Sequence, residues 1–417
     1  MRWLIVTLLF LATMINYLDR GILGVILPEI RQKFSISTGH YGNIQFWFQI
    51  AYGAGSLICG GILDRFGTRI GYALAAGVWS LTATLNGFAA SALQFGLFRT
   101  VLGLGESANF PACNKAAAEW FPPNQRATVM GLINMGTNFA QVVGPPLFIW
   151  MALTLGWQAC FIIMGLLGFV WLPFWLFIYK DPKKETAALE APKLPISAIL
   201  KYKQAWGYGL GKFLTDAPWW FYLFWLPTYL TDVRHFDPTS RGNALSLVYA
   251  ISGAGAIVGG VFSSSLMKKG WHVGKARKTA MLVFALIMPL GSLGVVVGDG
   301  WAWSSLAWLP VWASPVVFLF GLATFAHQAW MSNLFTTPSD VFPKEAVGSA
   351  NGFGVALGAW GGAQFSALIP GAVIPVFGYV PVLLSLSFFY LIAWVIVHKL
   401  MGNLEQVRLL RPVPVLA

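Results

Sequence analysis

Gly61-Ile62-Leu63-Asp64-Arg65-Phe66-Gly67-Thr68-Arg69 is a charged turn between two apolar runs, residues 40–63 and 70–90. Each run is about the 20 residues that a helix needs to cross a hydrocarbon layer. The stretch therefore reads as the short link of a membrane hairpin. Arg65 and Arg69 hold the link on the cytoplasmic side, where Lys and Arg accumulate. Asp64 can pair with a basic residue or a helix end, or the three charges can serve topology alone.

Working outward from this hairpin, the same pattern repeats along the chain. Of its 417 residues 57% are hydrophobic and only 10% charged, with 20 Trp and 32 Phe. So few charges cannot cover a water-soluble surface of this size, so the solvent is lipid. Apolar runs near 3–27, 40–63, 70–90, 92–113, 128–153 and 157–179 make a first set. A second set lies near 205–231, 242–267, 278–298, 305–335, 348–373 and 378–400. The expectation is an all-α membrane protein of about twelve spans in two six-helix bundles. Its units are residues 1–180, a cytoplasmic linker at 181–204, and residues 205–417 with a short cytoplasmic tail.

Alternate links collect nearly all the Lys and Arg; only Arg31, Lys33, Arg234 and Arg241 fall on the other side. Both termini are therefore expected in the cytoplasm. The net charge of +12 is a topology signal and gives no support to nucleic-acid binding. Cys59, Cys113 and Cys160 sit in or beside apolar runs without pairable spacing, so neither a disulfide framework nor a metal site is expected. The first run is followed by Asn16-Tyr17-Leu18-Asp19-Arg20 instead of a small-residue cleavage site, and reads as an uncleaved helix.

The halves echo each other. Gly53-Ala54-Gly55 with Gly60-Gly61 matches Gly253-Ala254-Gly255 with Gly259-Gly260, and Glu119-Trp120-Phe121-Pro122 matches Asp340-Val341-Phe342-Pro343. Repeats of this kind mark two-bundle transporters. The second copy of the charged loop keeps only Lys268-Lys269, so the acidic-basic pattern is expected in the first half alone.

Six ionisable residues lie inside apolar runs: Asp19, Arg20, Arg99, Glu106, Lys212 and Asp216. Each costs roughly 2.5–3.5 kcal/mol at a helix centre even on the lenient insertion scale. Arg99 and Glu106, two turns apart, share one face; Asp19 and Arg20 point about 100° apart and can serve span four and a central cavity separately. Their signs cancel, so a neutral interior can admit one organic anion if one proton accompanies it. Arg engages a carboxylate through two hydrogen bonds. A guest that occupies the Arg strips a neighbouring acid of its partner, and that acid then takes the proton. The plain alternative is a static ion-pair cluster that orients spans one and four.

Lys212 and Asp216 can pair one turn apart, although Lys212 is also near enough to the boundary to reach water. Trp219 and Trp220 begin an aromatic run that can stack on a sugar ring, with Trp220 the preferred candidate. Gln328 and Ser332 share a face of span ten, and Asn351 is a lone amide in span eleven; they offer neutral partners for sugar hydroxyls. A lone His327 reads as a satisfied structural residue before a proton relay.

The Gly61–Arg69 loop resembles the signature loop of the major facilitator superfamily, which implies a cytoplasmic gate built on Asp64, Arg65 and Arg69. Asn16–Arg20, Arg99–Glu106, Lys212–Asp216 with the aromatic run to Pro227, and His327–Leu334 resemble its anion:cation symporter branch, most closely the bacterial hexuronate:proton symporters. The resemblance implies that Arg20 receives a substrate carboxylate, that Asp19 and Glu106 carry the coupled proton, and that Arg99 is the basic partner of that acidic pair. It also implies that Tyr17 and Tyr52 line the site. Aldonate carriers have Gly-Gln where this chain has Gly136-Thr137, with Asn138 beside it, so Thr137 and Asn138 become candidates and aldonate preference is in doubt.

The implied activity is proton-coupled uptake of a monoanionic hexuronate, such as glucuronate or galacturonate, across a bacterial cytoplasmic membrane. The partners expected are the sugar acid, protons and lipid, the protein acting as a monomer with no cofactor beyond the coupling proton. Organic-anion exchange or export, or galactonate-type symport, uses the same scaffold. A membrane enzyme is disfavoured because no metal-ligand cluster, nucleophile–base pair or phosphate loop is present.

Overall fold

The computed structural model describes residues 2–181, 195–296 and 310–407. Among these residues every regular element is helical. Span 1 is Arg2–Ile30. Spans 2 and 3 are the two helices within Thr38–Asn86, which meet at a kink at Gly67, with φ 78°. A methyl group at Gly71 would lie 3.3 Å from Leu63 Cα, so the two arms run side by side. Span 4 is broken into Ala92–Glu106 and Asn109–Trp120, directly after its buried acid. Span 5 is Pro123–Thr154 and span 6 is Trp157–Ile178.

Spans 7 to 9 are Lys203–Asp232, Pro238–Lys268 and Val273–Val296. Span 10 is Pro315–Leu334, shorter than its apolar run; residues 305–309 of that run lie outside the described residues. Span 11 runs through Lys344–Gly362, a π-helical stretch Ala363–Leu368 and Ile369–Phe377, and span 12 is Val380–Met401. With the folded element counted as two, these make twelve passes. Among the described residues, seven helices are apolar and long enough to cross a membrane by length and composition alone. Spans 4, 5, 7 and 10 are absent from that set, because a break, buried charges or polar side chains dilute them. Residues 182–194 of the expected linker lie outside the described residues; its remainder contains the short helix Ile196–Ile199.

Local chemistry starts and stops these helices. Asp237 caps span 8, accepting from Thr239 and Ser240 backbone N–H groups at 2.9 and 3.1 Å. Hydrogen bonds from Ser240 hold its carboxyl below the usual range. Gly67, in the left-handed region, has Asp181 packed where a Cβ would sit, and Asp181 accepts from the Arg69 N–H at 3.0 Å. Asp64 pairs with Lys115 of span 4 at 2.7 Å, and Arg69 donates to the Leu176 carbonyl at 3.0 Å. Arg65 is exposed, stacked against Phe66.

The repeat reappears as shared packing. Gly55 admits Ser107 of span 4, and Gly255 admits the Phe325 backbone of span 10. The second half does keep an acid–base pair at its basic end. Arg277 at the start of span 9 binds Asp340, the counterpart of Glu119, at 2.5 Å. The charges moved out of the span 8–9 turn and into the helix ends beside it, which is why a search of the turn alone misses them.

Contact between the bundles varies with depth. On the side away from the basic loops, a Cβ at Gly24, Gly42 or Gly53 would fall 2.9, 2.7 or 2.5 Å from Leu223, Ala367 or Trp360. Deeper, Gly253 and Gly352 meet Asn138 and Ser56 only at 3.9 and 3.8 Å. Nearer the basic ends, Gly60, Gly61, Gly131, Gly260 and Gly348 have nothing within 4 Å. The seam is closed on the side away from the basic loops and loosens towards them.

Candidate substrate site

At the middle of the seam four charges from spans 1 and 4 are buried together, with Asp19, Arg20, Arg99 and Glu106 each no more than 2% exposed. The Arg20 Nε donates to Glu106 Oε2 at 2.8 Å, and its Nη2 donates to Asn16 Oδ1 at 3.2 Å. Helical side chains lean towards the helix N-terminus, so Arg20 reaches back along span 1 to the level of Asn16, where Glu106 sits.

Arg99 is close enough to act electrostatically on both acids, yet it hydrogen-bonds neither. Two turns before Glu106, it meets the backbone of span 1 and donates to the Asp19 and Arg20 carbonyls at 3.1 and 2.9 Å. Neither oxygen of Asp19 has a hydrogen-bond partner, and Glu106 Oε1 has none. The two acids thus differ. Asp19 can take a proton without disturbing an ion pair, whereas a proton on the free Oε1 of Glu106 removes the charge that holds Arg20.

Close packing makes this cluster possible. A Cβ at Gly103 would lie 2.4 Å from the Phe48 carbonyl oxygen, and one at Gly105 would lie 2.9 Å from Trp79 N. Both glycines let span 4 press its charges against its neighbours.

The Arg20 guanidinium is boxed by aromatic rings, with Tyr17, Tyr52 and Trp220 centroids at 4.5, 4.6 and 5.3 Å. Tyr17 and Tyr52 belong to the first bundle and Trp220 to the second. Such faces stabilise a desolvated cation and leave it reachable in the plane of its remaining donors. Trp219 instead stacks on His327, with centroids 4.9 Å apart, inside the second bundle. His327 Nδ1 pairs with the Tyr390 hydroxyl at 2.6 Å, which in turn donates to the Thr215 carbonyl at 3.0 Å, so the histidine is held structurally.

Lys212 does not reach the boundary: it is 2% exposed, with Nζ 2.9 Å from Asp216 Oδ2 and 4.3 Å from the Phe335 ring centroid. A Cβ at Gly358 of span 11 would strike Asp216, so the pair fills that gap. Asp216 is also close enough to interact electrostatically with the Tyr17 and Tyr52 hydroxyls across the seam.

The other candidates are more scattered. The Thr137 hydroxyl and Asn351 Oδ1 are buried without partners, and Asn138 faces Gly253 of span 8. Gln328 is half-buried on span 10. Ser332 turns onto the Ala329 carbonyl at 2.9 Å beside Gly259, within the contact between spans 8 and 10. It is a packing residue there because a hydroxyl next to glycine fills the groove and satisfies itself.

Sequence reasoning missed a polar ladder beside the cluster. Gln45 donates to the Tyr41 hydroxyl at 3.0 Å, Tyr41 donates to the Phe224 carbonyl at 3.0 Å, and Gln49 donates to Ser366 at 3.3 Å. Gln49 Oε1 and Trp220 both press on Gly362. The four-residue spacing of Tyr41, Gln45 and Gln49 was the available signal.

Comparison with known proteins decides the family. The profile described as Major Facilitator Superfamily matches residues 9–366. The chain belongs to that superfamily. Membership makes it a membrane transporter and not an enzyme. Among similar proteins, the hexuronate transporter of Escherichia coli (strain K12) is 29% identical, over 97% of this chain and 94% of its own. The galacturonate transporter of Dickeya chrysanthemi is 28% identical over 69% and 89%. A probable galactarate/D-glucarate transporter of Bacillus subtilis (strain 168) is 30% identical over 84% and 81%. In fold, a bacterial homolog of the human lysosomal transporter Spinster, solved inward-facing and occupied, matches with a TM-score of 0.73 at 16% identity, over 96% of this chain and 97% of its own.

Proposed function

We propose that this superfamily member carries a sugar-acid monoanion, a hexuronate such as glucuronate or galacturonate, in symport with a proton by alternating access. The observation that carries the reading is Arg20. Its guanidinium is held by an internal carboxylate, Glu106, inside a ring box drawn from both bundles. A substrate carboxylate is the natural competitor for that cation. Once it binds, Glu106 is left buried beside a new anion, and the cluster regains neutrality by taking one proton. Asp19, with both oxygens unpartnered, supplies a second acceptor along the same path. Trp220 offers an apolar ring for the sugar face, while Thr137 and Asn351 offer unpaired hydrogen-bonding groups for hydroxyls. The similarity to transporters of hexuronate, galacturonate and galactarate supports the sugar-acid class.

With the basic loops in the cytoplasm of a bacterium and both termini there, the seam is closed outside and open within. The protein then works as a monomer in the cytoplasmic membrane, with no cofactor but the coupling proton. Uptake of labelled glucuronate and galacturonate into proteoliposomes tests the reading. An imposed inward proton gradient is expected to drive accumulation above equilibrium, and Arg20→Ala is expected to abolish it. Uptake indifferent to the gradient overturns the coupling; uptake of galactonate but neither hexuronate overturns the substrate.

A further inference from the structure

At the basic end of the second bundle, outside the site described above, the first turn of span 9 and the last turn of span 12 enclose a cavity of about 490 Å³. His272, Lys275, Lys278, Trp394 and His398 line it, with Leu282 deeper and Glu405 as its carboxylate. Two lysines against one carboxylate leave it cationic.

The walls are fixed. Trp394 Nε1 donates to the Lys278 carbonyl at 2.8 Å, Lys278 Nζ donates to the Gly402 carbonyl at 2.8 Å, and His398 stacks on Trp394 with centroids 4.8 Å apart. His272, Lys275 and His398 are exposed, and His272, whose Nδ1 accepts from the Gly274 N–H at 3.2 Å, keeps its other ring nitrogen for a ligand. Lys275 lies over the Trp271 ring at 4.5 Å. Cations and tryptophans together at a span end are the chemistry of the headgroup layer.

Below the cavity the surface turns apolar along one line. Span 9 presents Leu286, Leu290 and Leu293 outward, at intervals of four and three residues, and span 12 presents Val395, Ile392 and Phe388. Both stripes run away from the basic rim into the lipid-facing part of the spans. A free anion makes no use of them, and a zwitterionic headgroup sets a cation against Lys275. The arrangement is continuous from anion acceptor to hydrocarbon.

We propose that this cleft is a binding site for an anionic glycerophospholipid. Its phosphodiester lies among His272, Lys275 and His398, and its acyl chains follow the two stripes. The test uses the purified full chain in detergent, with thermal unfolding followed as phosphatidylglycerol, phosphatidylcholine or inorganic phosphate is added. Native mass spectrometry counts the lipids retained. Phosphatidylglycerol is expected to raise the transition above phosphatidylcholine at equal concentration and to stay bound. In His272→Gln/Lys275→Gln/His398→Gln, all exposed positions, its apparent affinity is expected to fall about tenfold. Lys268→Gln/Lys269→Gln, on the neighbouring exposed turn, is expected to keep it. Equal stabilisation by the two lipids, full retention in the triple variant, or the same shift from inorganic phosphate alone overturns the proposal.

Discussion

At the scale of single residues, the site turns on which acid holds which cation. Glu106 and Arg20 form the direct buried pair, so their variants should separate binding from coupling. Glu106→Gln is expected to bind glucuronate, seen as ligand-dependent thermal stabilisation, yet fail to accumulate it against a gradient; concentrative uptake at the normal level refutes its coupling role. Arg20→Lys keeps the charge and loses the planar fork. Its affinity should fall at least about 30-fold, as when one partner of a buried charge pair is truncated at a cost of 2–5 kcal/mol. Isothermal titration measures it, and an unchanged affinity removes Arg20 from the site. The charges themselves were legible in the sequence, because an ionisable residue in an apolar run is expensive and stands out. Their pairing was not. Spacing places Arg99 and Glu106 on one face of span 4 but says nothing of its height against span 1, so it does not show that Arg99 bonds the Asp19 and Arg20 carbonyls while acting on the two carboxyls only through space. Gln45 and Gln49 escaped notice because a neutral amide costs too little in a span to draw attention.

At the scale of helices, small residues decide how closely charged segments approach. A methyl group at Gly103 would collide with the Phe48 carbonyl at 2.4 Å, and backbone cannot rotate away as a side chain can. Gly103→Ala is therefore expected to destabilise by about 1–3 kcal/mol, the usual cost of overpacking. Gly60→Ala, in a helix with nothing within 4 Å, should leave the unfolding transition unchanged or slightly raised. Thermal unfolding of the two variants in one detergent compares them, and equal transitions contradict the packing argument. Apolar run length foretold the passes well, since hydrocarbon thickness sets a single length scale. It could not foretell the break after Glu106, which lies inside the run at 92–113. Nor could it locate Arg277 and Asp340, whose pairing depends on how the ends of spans 9 and 10 meet.

At the scale of the whole molecule, the seam is bolted on one side. Arg31 of the first bundle grips Asp232 of the second through two bonds of 2.6 Å, and Arg241 of the second binds Glu29 of the first. The first pair is about a third exposed, so water and salt weaken it. Arg241 is 1% exposed, so the second pair has the larger hold on the closed seam. A cycle that opens the seam to Arg20 from the side of these pairs must break both. Arg31→Gln/Arg241→Gln is therefore expected to populate a state with the outer ends apart, by about tenfold for each 1.4 kcal/mol withdrawn from closure. Spin labels at Gln32→Cys and His235→Cys, exposed sites on opposite bundles, report the separation by double electron–electron resonance. The parent should give one short distance, and the double variant should add a longer one. Restoring charge with Arg31→Asp/Asp232→Arg should recover the short distance in part, since a swapped pair attracts as the original did. If the double variant kept the single short distance, closure would rest on the packing at Gly24, Gly42 and Gly53, and the ion pairs would add nothing to it.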